Sequence, residues 1–174
     1  ANDLFFKGVL QRRFASPEYL SSDLGAGALE RLLNRTGTDP QDVDLILYSC
    51  IFSDYLWPSI GPAIQHRVGA KRASVINIDT GCSSYLSMLN TARAFIEAGL
   101  YKTVAVVTVT NFISRLPEFQ KSRLSWVLGD GASATLLAKG ESSFLSTYER
   151  SCGEHYGLFV FEPDGVHGAA LNYW

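Results

Sequence analysis

Along this chain, segments with apolar residues at helical spacing alternate with short, nearly continuous apolar runs. Helical spacing brings apolar side chains to one face of a helix, whereas a short continuous run is typical of a strand buried on both faces. The predicted helices are 23–33, 59–68 and 82–98. The predicted strands are 43–49, 73–78 and 103–110, with a further strand at 144–148. Strands that alternate with helices require crossover connections, so the pattern predicts an α/β fold with a mainly parallel sheet.

The ends of these segments carry residues that start or stop regular structure. Ser21, Ser22 and Asp23 stand where the first helix begins, and side chains of these types cap helix N-termini. We expect the helix at 82–98 to be the longest of the three. A polar segment at 111–123 is followed by apolar residues at 124–139. These flank a Gly-Asp-Gly sequence that, taken alone, favours a β-turn or hairpin.

Composition limits the classes of function. The chain has 174 residues, 47% of them hydrophobic and 18% charged, which is typical of a single domain with a real core. Its formal net charge is −2 and it has no cluster of basic residues, so no nucleic-acid partner is predicted. No apolar stretch approaches the roughly 18 residues of a membrane span, so no membrane association is predicted. The chain opens without a methionine and closes without a clear final element, which favours a piece of a longer protein.

The three cysteines are widely spaced along the chain. Three thiols without a close pair argue against a disulfide scaffold and against a zinc site, so a reducing, cytoplasmic compartment is expected. No metal or bound cofactor is predicted. The cysteines are Cys50, Cys82 and Cys152.

Cys82 is the strongest candidate for chemistry. The predicted strand 73–78 ends just before it, Gly81 supplies a tight turn, and the predicted helix 82–98 begins at it. The positive end of a helix dipole favours a thiolate, and the unpaired N–H groups of the first turn can stabilise an oxyanion. Open α/β sheets also place their sites at the carboxyl ends of strands. This setting suits a nucleophilic cysteine.

The same residue types also have purely structural explanations. Free cysteines are often small core side chains, and Cys50, at the end of a strand, fits the core or its margin. Cys152 lies in a polar segment where nothing marks it as reactive. Trp57, followed by Pro58, reads as a core anchor in a restrained turn. Three histidines are general bases by type, but none stands in a recognisable pairing with Cys82. They are His66, His155 and His167.

Several segments, taken in order, resemble the β-ketoacyl-acyl carrier protein synthase III family. They include the Gly-x-x-x-Arg-Arg of 8–13, the Ser-Asp-Leu of 22–24 and the Pro-x-Asp-x-Asp-Leu-Ile of 40–46. They continue with the Trp-Pro-Ser of 57–59, the cysteine turn of 82–85 and the Leu-Gly-Asp-Gly-Ala of 128–132. The resemblance covers residues 8–147. It implies a thiolase-like fold in which residues 1–174 form the N-terminal βαβαβαββ half of a five-layered αβαβα architecture.

The resemblance also implies an activity. Cys82 would take an acyl group from acyl-CoA or an acyl-carrier protein and join it to a malonyl-type thioester by decarboxylative condensation, in fatty-acid or polyketide biosynthesis. The family's catalytic histidine and asparagine are expected in a C-terminal half, so this piece alone is expected to be inactive. CoA or phosphopantetheine would arrive with the substrate. A homodimer is expected, with the strand at 103–110 pairing across a two-fold axis.

Further positions acquire roles through the resemblance. Trp57 matches a phenylalanine that reaches into the partner subunit's acyl pocket, and Val127 and Leu128 match positions that line the pocket. Lys7 and Arg123 each lie one place after a CoA-binding arginine of the family. The matching positions themselves hold Phe6 and Ser122, which leaves a carrier-protein donor open.

Two alternatives to the condensing activity are open. Cys82 could serve acyl transfer to a hydroxyl or an amine, with no decarboxylation. The chain could also belong to a non-catalytic partner subunit of the same fold, although a scaffold has no need of a thiol at a helix start.

Overall fold

The computed structural model describes residues 9–111, 114, 128–140, 144–158, 160–162 and 165–167. Its principal elements are α1 (Ser21–Thr36), β1 (Leu45–Cys50), α2 (Gly61–Val68), β2 (Ser74–Asn77), α3 (Ser84–Glu97), β3 (Thr103–Thr110) and β4 (Gly131–Ala138). The described residues also form 3-10 turns at Pro40–Asp42, Gly81–Ser83 and Gly153–Leu158, and a hairpin of β5 (Val160–Glu162) and β6 (Gly165–His167). The predicted α/β class is confirmed.

The main sheet is mostly parallel. Its strand order is β2-β1-β3-β4, with β1 parallel to both β2 and β3 and with β4 antiparallel to β3. From α1 to β4 the described residues run αβαβαββ, which are the last seven elements of the expected half.

The core lies on both faces of this sheet. One cluster joins α1 and α2 to the face that carries Ile46, Tyr48 and Val107. The other joins Met88 and Ala92 of α3 to the opposite face of β1 and β3. Because successive strand residues alternate between faces, the apolar runs of β1 and β3 supply both clusters. The described part is therefore three layers, with the sheet between the helices.

The polar residues predicted to cap the N-terminus of α1 do not occupy the N-cap position. The N-cap position is Leu20, and the Asp23 carboxylate, three residues on, accepts a hydrogen bond from the Leu20 N–H at 2.8 Å. Ser21 lies inside the helix and donates to the carbonyl oxygen of Phe52 at 2.6 Å. Its hydroxyl therefore joins α1 to the loop after β1 instead of capping the helix.

Two predicted elements are corrected by the structure. Residues 144–148 form no strand, because the segment lies beside α3, where the guanidinium of Arg93 is 5.8 Å from the centre of the Phe144 ring. The predicted helix at 82–98 begins instead at Ser84, after a 3-10 turn, so α3 has 14 residues and is shorter than α1 with 16.

The predicted pairing of residues 103–110 across a dimer axis is wrong. β3 is hydrogen-bonded to β1 along one edge and to β4 along the other, so neither edge can accept a strand from a second copy.

None of the helices in the described ranges is both long enough and apolar enough to cross a membrane.

Candidate active site

Four connections of the sheet meet at one edge. β1, β2 and β3 are parallel, so the segments that follow Cys50, Asn77 and Thr110 all leave from the same side. β4 is antiparallel and starts on that side, at Gly131. The loop with Trp57, the Cys82 turn and the segment 128–130 therefore lie at the carboxyl edge of the parallel strands, where sites form in open α/β sheets.

Cys82 lies at the centre of the Gly81–Ser83 turn, directly before α3, and its side chain is exposed. Gly81 has a φ of 63°, a left-handed conformation that favours glycine. The chain can thus reverse sharply between β2 and α3 while the thiol faces outward. The sequence analysis placed Cys82 at a helix start, and the structure places it two residues before that start.

The turn is held by its own polar side chains. Asp79 Oδ1 accepts from the Gly81 N–H at 2.9 Å. Ser84 Oγ accepts from the Thr80 N–H at 2.9 Å and donates to the Gly81 carbonyl oxygen at 2.7 Å. Ser84 is buried, so its two bonds form at the base of the turn.

The start of α3 carries no side-chain cap, although its first N–H, that of Ser84, donates to the Gly81 carbonyl oxygen. Ser83 occupies the N-cap position but makes no side-chain cap, because its hydroxyl donates back to the Thr80 carbonyl oxygen at 2.8 Å. First-turn N–H groups that lack a side-chain acceptor are suited to bind an oxyanion.

The other two cysteines have different surroundings. Cys50 is half-buried beside the α1–α2 core cluster, as the sequence predicted, and its thiol donates to the Phe52 carbonyl oxygen at 3.1 Å. Cys152 is exposed, and its thiol donates to Glu154 Oε1 at 3.1 Å, which raises the pKa of Cys152 and favours the thiol form. Single ligand-type atoms of Cys152, Glu154 and His155 lie within 4.8 Å of one another, and all three side chains are exposed.

Trp57 is not the core anchor that its residue type suggested. Its side chain is 83% exposed, and those of the two preceding residues, Tyr55 and Leu56, are exposed as well. The Trp57–Pro58 peptide bond is cis. The loop therefore presents three apolar side chains outward at the carboxyl edge.

Leu128 lines a cleft of about 540 Å³ between the residues before α1 and the adjoining ends of β3 and β4. The side chains of this cleft come mainly from three places: residues 9–13, Thr108 and Thr110, and 128–133. Arg12 and Arg13 are among the lining residues. This basic pair therefore lies in the same cleft as Leu128, which the family resemblance assigned to the acyl pocket.

The Gly-Asp-Gly segment fastens residues 13–15 to the sheet edge. The Asp130 N–H donates to the Arg13 carbonyl oxygen at 2.7 Å. Asp130 Oδ2 accepts from the Ala15 N–H at 3.0 Å and from both the N–H and the hydroxyl of Ser114. Asp130 thus works as a clamp that leads into β4. Residues 124–127, one flank of the predicted turn or hairpin, lie outside the described residues, so that prediction stays a prediction.

Three predicted binding residues, Lys7, Arg123 and Val127, lie outside the described residues. His66 and His155 are exposed, and no hydrogen bond within the described ranges joins either of them to Cys82. His167 is in β6.

Sequence reasoning also missed Glu149, whose Oε1 accepts from Ser87 Oγ of α3 at 2.8 Å. No local pattern marks this residue, because its contact depends on how the chain returns after β4.

Comparisons with known proteins agree with this geometry. A family model described as 3-oxoacyl-acyl-carrier-protein synthase III matches residues 76–153. A β-ketoacyl-acyl-carrier-protein synthase III of Caldanaerobacter subterraneus is 30% identical over 160 residues, which are 91% of this chain and 48% of the relative.

Two solved structures share the fold. A β-ketoacyl-acyl-carrier-protein synthase III of Thermus thermophilus has a TM-score of 0.80 and 26% identity, covering 92% of this chain and 54% of that one. A priming β-ketosynthase from a polyketide biosynthetic pathway has a TM-score of 0.66 and 26% identity, covering 75% and 39%. The chain spans about half the length of the curated relatives it matches.

The fold and the cysteine turn together define a partial thiolase-like fold with a thiol presented at the carboxyl edge of its sheet. Within that class, the chain is a β-ketoacyl-acyl-carrier-protein synthase III-like protein and corresponds to part of its relatives' length.

Proposed function

We propose that the complete protein is a condensing acyltransferase in which Cys82 takes an acyl group from acyl-CoA or an acyl-carrier protein. The observation that carries this proposal is the exposed thiol in the Gly81–Ser83 turn, directly before α3. The similarity to β-ketoacyl-acyl-carrier-protein synthase III proteins, and to a priming β-ketosynthase, supports a role in fatty-acid or polyketide biosynthesis.

The first half-reaction follows from the geometry of the turn. The Cys82 thiolate attacks the thioester carbonyl, and N–H groups at the start of α3 stabilise the oxyanion that forms. The attack forms the new carbon–sulfur bond to Cys82, and collapse of the oxyanion then breaks the carbon–sulfur bond to the donor, which leaves as a thiolate. The absence of a side-chain cap from Ser83 supports this step, since the Ser83 hydroxyl does not compete for those N–H groups.

The second half-reaction makes the carbon–carbon bond. A malonyl-type thioester loses CO₂, and the resulting carbanion attacks the acyl group on Cys82, which departs as a thiolate. The histidine and asparagine that would stabilise this carbanion belong, by resemblance, to a C-terminal half. We therefore propose that residues 1–174 alone do not catalyse condensation.

The proposed acyl pocket is completed by a second copy. We assign Trp57 to the partner's pocket in a homodimer, because its indole is exposed at the carboxyl edge and has no core role. Leu128 lies in the cleft beside residues 12 and 13 and would line the pocket of its own subunit, together with Val127. Lys7 and Arg123 are proposed to contact the donor's phosphates.

The test is to mix the complete protein with acyl-CoA or acyl-carrier protein and to measure the intact mass. We expect one acyl adduct, located on Cys82 by peptide mapping, absent from Cys82→Ser and present in Cys152→Ser as the matched control. If the wild-type protein forms no adduct with either donor, the proposal is wrong and the non-catalytic subunit is favoured.

A second measurement separates condensation from acyl transfer to a hydroxyl or amine. Malonyl thioester is added to the acylated protein, and release of CO₂ is followed together with loss of the adduct. Condensation predicts one CO₂ for each acyl group lost. Adduct loss to an alcohol or amine with no CO₂ would support the alternative.

A further inference from the structure

After β4, the chain returns along the outer side of α3 towards the nucleophile turn. Two contacts define this path. The Phe144 ring lies 5.8 Å from the Arg93 guanidinium, and Glu149 Oε1 accepts from Ser87 Oγ at 2.8 Å. Ser87 is six residues nearer the start of α3 than Arg93, so the segment 144–149 runs antiparallel to the helix and ends beside its first turns.

Glu149 is connected to the turn through two hydroxyl groups. Ser87 Oγ lies 3.0 Å from Thr80 Oγ1, and Thr80 is two residues before Cys82. Thr80 is itself bonded into the turn, because its N–H donates to Ser84 Oγ and its carbonyl oxygen accepts from Ser83 Oγ. A carboxylate distant in sequence thus reaches the backbone that carries the thiol.

The carboxylate fixes the direction of these hydrogen bonds. An ionised carboxylate can only accept, so the Ser87 hydroxyl donates to Glu149. The oxygen of Ser87 is then free to accept, and the Thr80 hydroxyl must supply the proton between them. With its proton committed to Ser87, the Thr80 oxygen can only accept within the turn, where Ser83 Oγ lies 3.2 Å away.

The geometry points to Glu149 as a positioning residue for Cys82, an inference that rests on the proposed acylation of this thiol. By setting the hydroxyl directions of Ser87 and Thr80, it holds the Thr80 side chain against α3. The turn then keeps one conformation, with the thiol outward and with no side-chain cap from Ser83 at the start of α3. Glu149 touches no reacting atom in this role.

The test compares Glu149→Ala with Glu149→Gln in the complete protein. Two rates are measured: single-turnover acylation of Cys82 by acyl-CoA, and alkylation of Cys82 by iodoacetamide, each followed by peptide mass. We expect Glu149→Ala to slow both by about five- to tenfold, the effect of losing one ordinary, exposed hydrogen bond. Glu149→Gln should recover to within about twofold, because its amide oxygen still accepts from Ser87.

A double-mutant cycle distinguishes positioning from a general loss of structure. Ser87→Ala should slow both rates as Glu149→Ala does, and the double variant should be no slower than either, because both interrupt one chain. Effects that multiply would overturn the proposal, as would unchanged rates in Glu149→Ala. Glu154→Ala, which removes another exposed carboxylate in the nearby Gly153–Leu158 turn, is the control and should leave both rates unchanged.

Alkylation needs no acyltransferase activity, so the two proposals fail separately. If the wild-type protein never acylates but Glu149→Ala still slows alkylation, the proposed function is wrong and the positioning role stands. If the wild-type protein acylates and Glu149→Ala matches it in both rates, the positioning role is wrong and the proposed function stands.

Discussion

The two ends of the parallel strands are both polar, but their polar groups act in different ways. At the carboxyl end, Asp79, Thr80 and Ser84 bond to the turn that they belong to and leave the Cys82 thiol exposed. At the amino end, Asp44 connects strands, since its Oδ2 accepts from the N–H groups of Lys102 and Thr103, at 2.9 and 3.1 Å.

Cavity size alone would favour the amino end over the end that carries Cys82. A cavity of about 870 Å³ lies at the amino end, lined partly by Asp42, Asp44, Arg72 and Lys102, whereas the cleft beside Leu128 measures about 540 Å³. Among the described residues that line the amino-end cavity there is no thiol. The comparison teaches that the candidate site is marked by Cys82 and not by cavity size. It also shows that Gly61 and Gly129, towards the carboxyl end, lie close to other residues, whereas a Cβ on Gly37 or Gly99, at the amino end, would meet nothing within 4 Å.

The largest expected effect on stability tests that close packing. A Cβ on Gly61, the first residue of α2, would overlap the ring of Tyr48 and a methyl group of Val75. Because Tyr48 is buried, it has no room to yield, and Gly61→Ala should lower the free energy of unfolding by about 3 kcal/mol. Urea denaturation measures this loss.

Gly27→Ala is the matched control for that substitution. Gly27 lies inside α1, and a Cβ there would meet nothing within 4 Å. Replacing a helical glycine with alanine should therefore stabilise the protein, by about 1 kcal/mol. If both variants changed stability in the same direction, the packing argument would fail.

The next effect concerns the clamp at the carboxyl end. A Cβ on Gly129 would lie 2.8 Å from the Arg13 carbonyl oxygen, which is the acceptor of the Asp130 N–H. We expect Gly129→Ala to release residues 9–15, to cost about 1 to 2 kcal/mol and to speed tryptic cleavage after Arg12 and Arg13. Gly131→Ala serves as control, since a Cβ there meets nothing within 4 Å. Equal cleavage of the two variants would show that the clamp is unimportant.

Much of the fold follows from local pattern. The run at 103–110 has the same bounds as β3, and Gly81 between a strand and a helix located the turn that carries Cys82. The order of strands in the sheet does not follow from local pattern. Periodicity indicates that a strand is buried on both faces but does not indicate which strands are its neighbours. For this reason the dimer pairing assigned to residues 103–110 was wrong, while the strand itself was right.

The parts of the site that sequence did not predict depend on contacts between distant residues. The Ala15–Asp130 hydrogen bond joins residues 115 apart, and the Ser87–Glu149 bond joins residues 62 apart. No spacing rule links such pairs. Trp57 was misread for another reason: a large aromatic residue is usually buried, but a loop at the carboxyl edge gives its side chain no core to enter.

The smallest expected effect belongs to the amino end and depends on pH. Hydrogen bonds from the Lys102 N–H, and then from Thr103, with Arg72 and Lys102 nearby, hold the pKa of Asp44 below its usual value. A lowered folded-state pKa adds stability that is present above the unfolded value and is lost as pH falls through the folded value. Because Asp44 is partly exposed, Asp44→Asn should cost only about 0.5 to 1 kcal/mol at pH 7.

Urea denaturation at pH 7 and at about pH 3 should show this difference shrinking in acid, as the wild-type carboxylate takes up its proton. Asp42→Asn, an exposed neighbour in the Pro40–Asp42 turn, is the control and should change stability little at either pH. If Asp44→Asn lowered the free energy of unfolding more than Gly61→Ala does, or if its effect grew in acid, the ranking of the two ends by their effect on stability would be reversed.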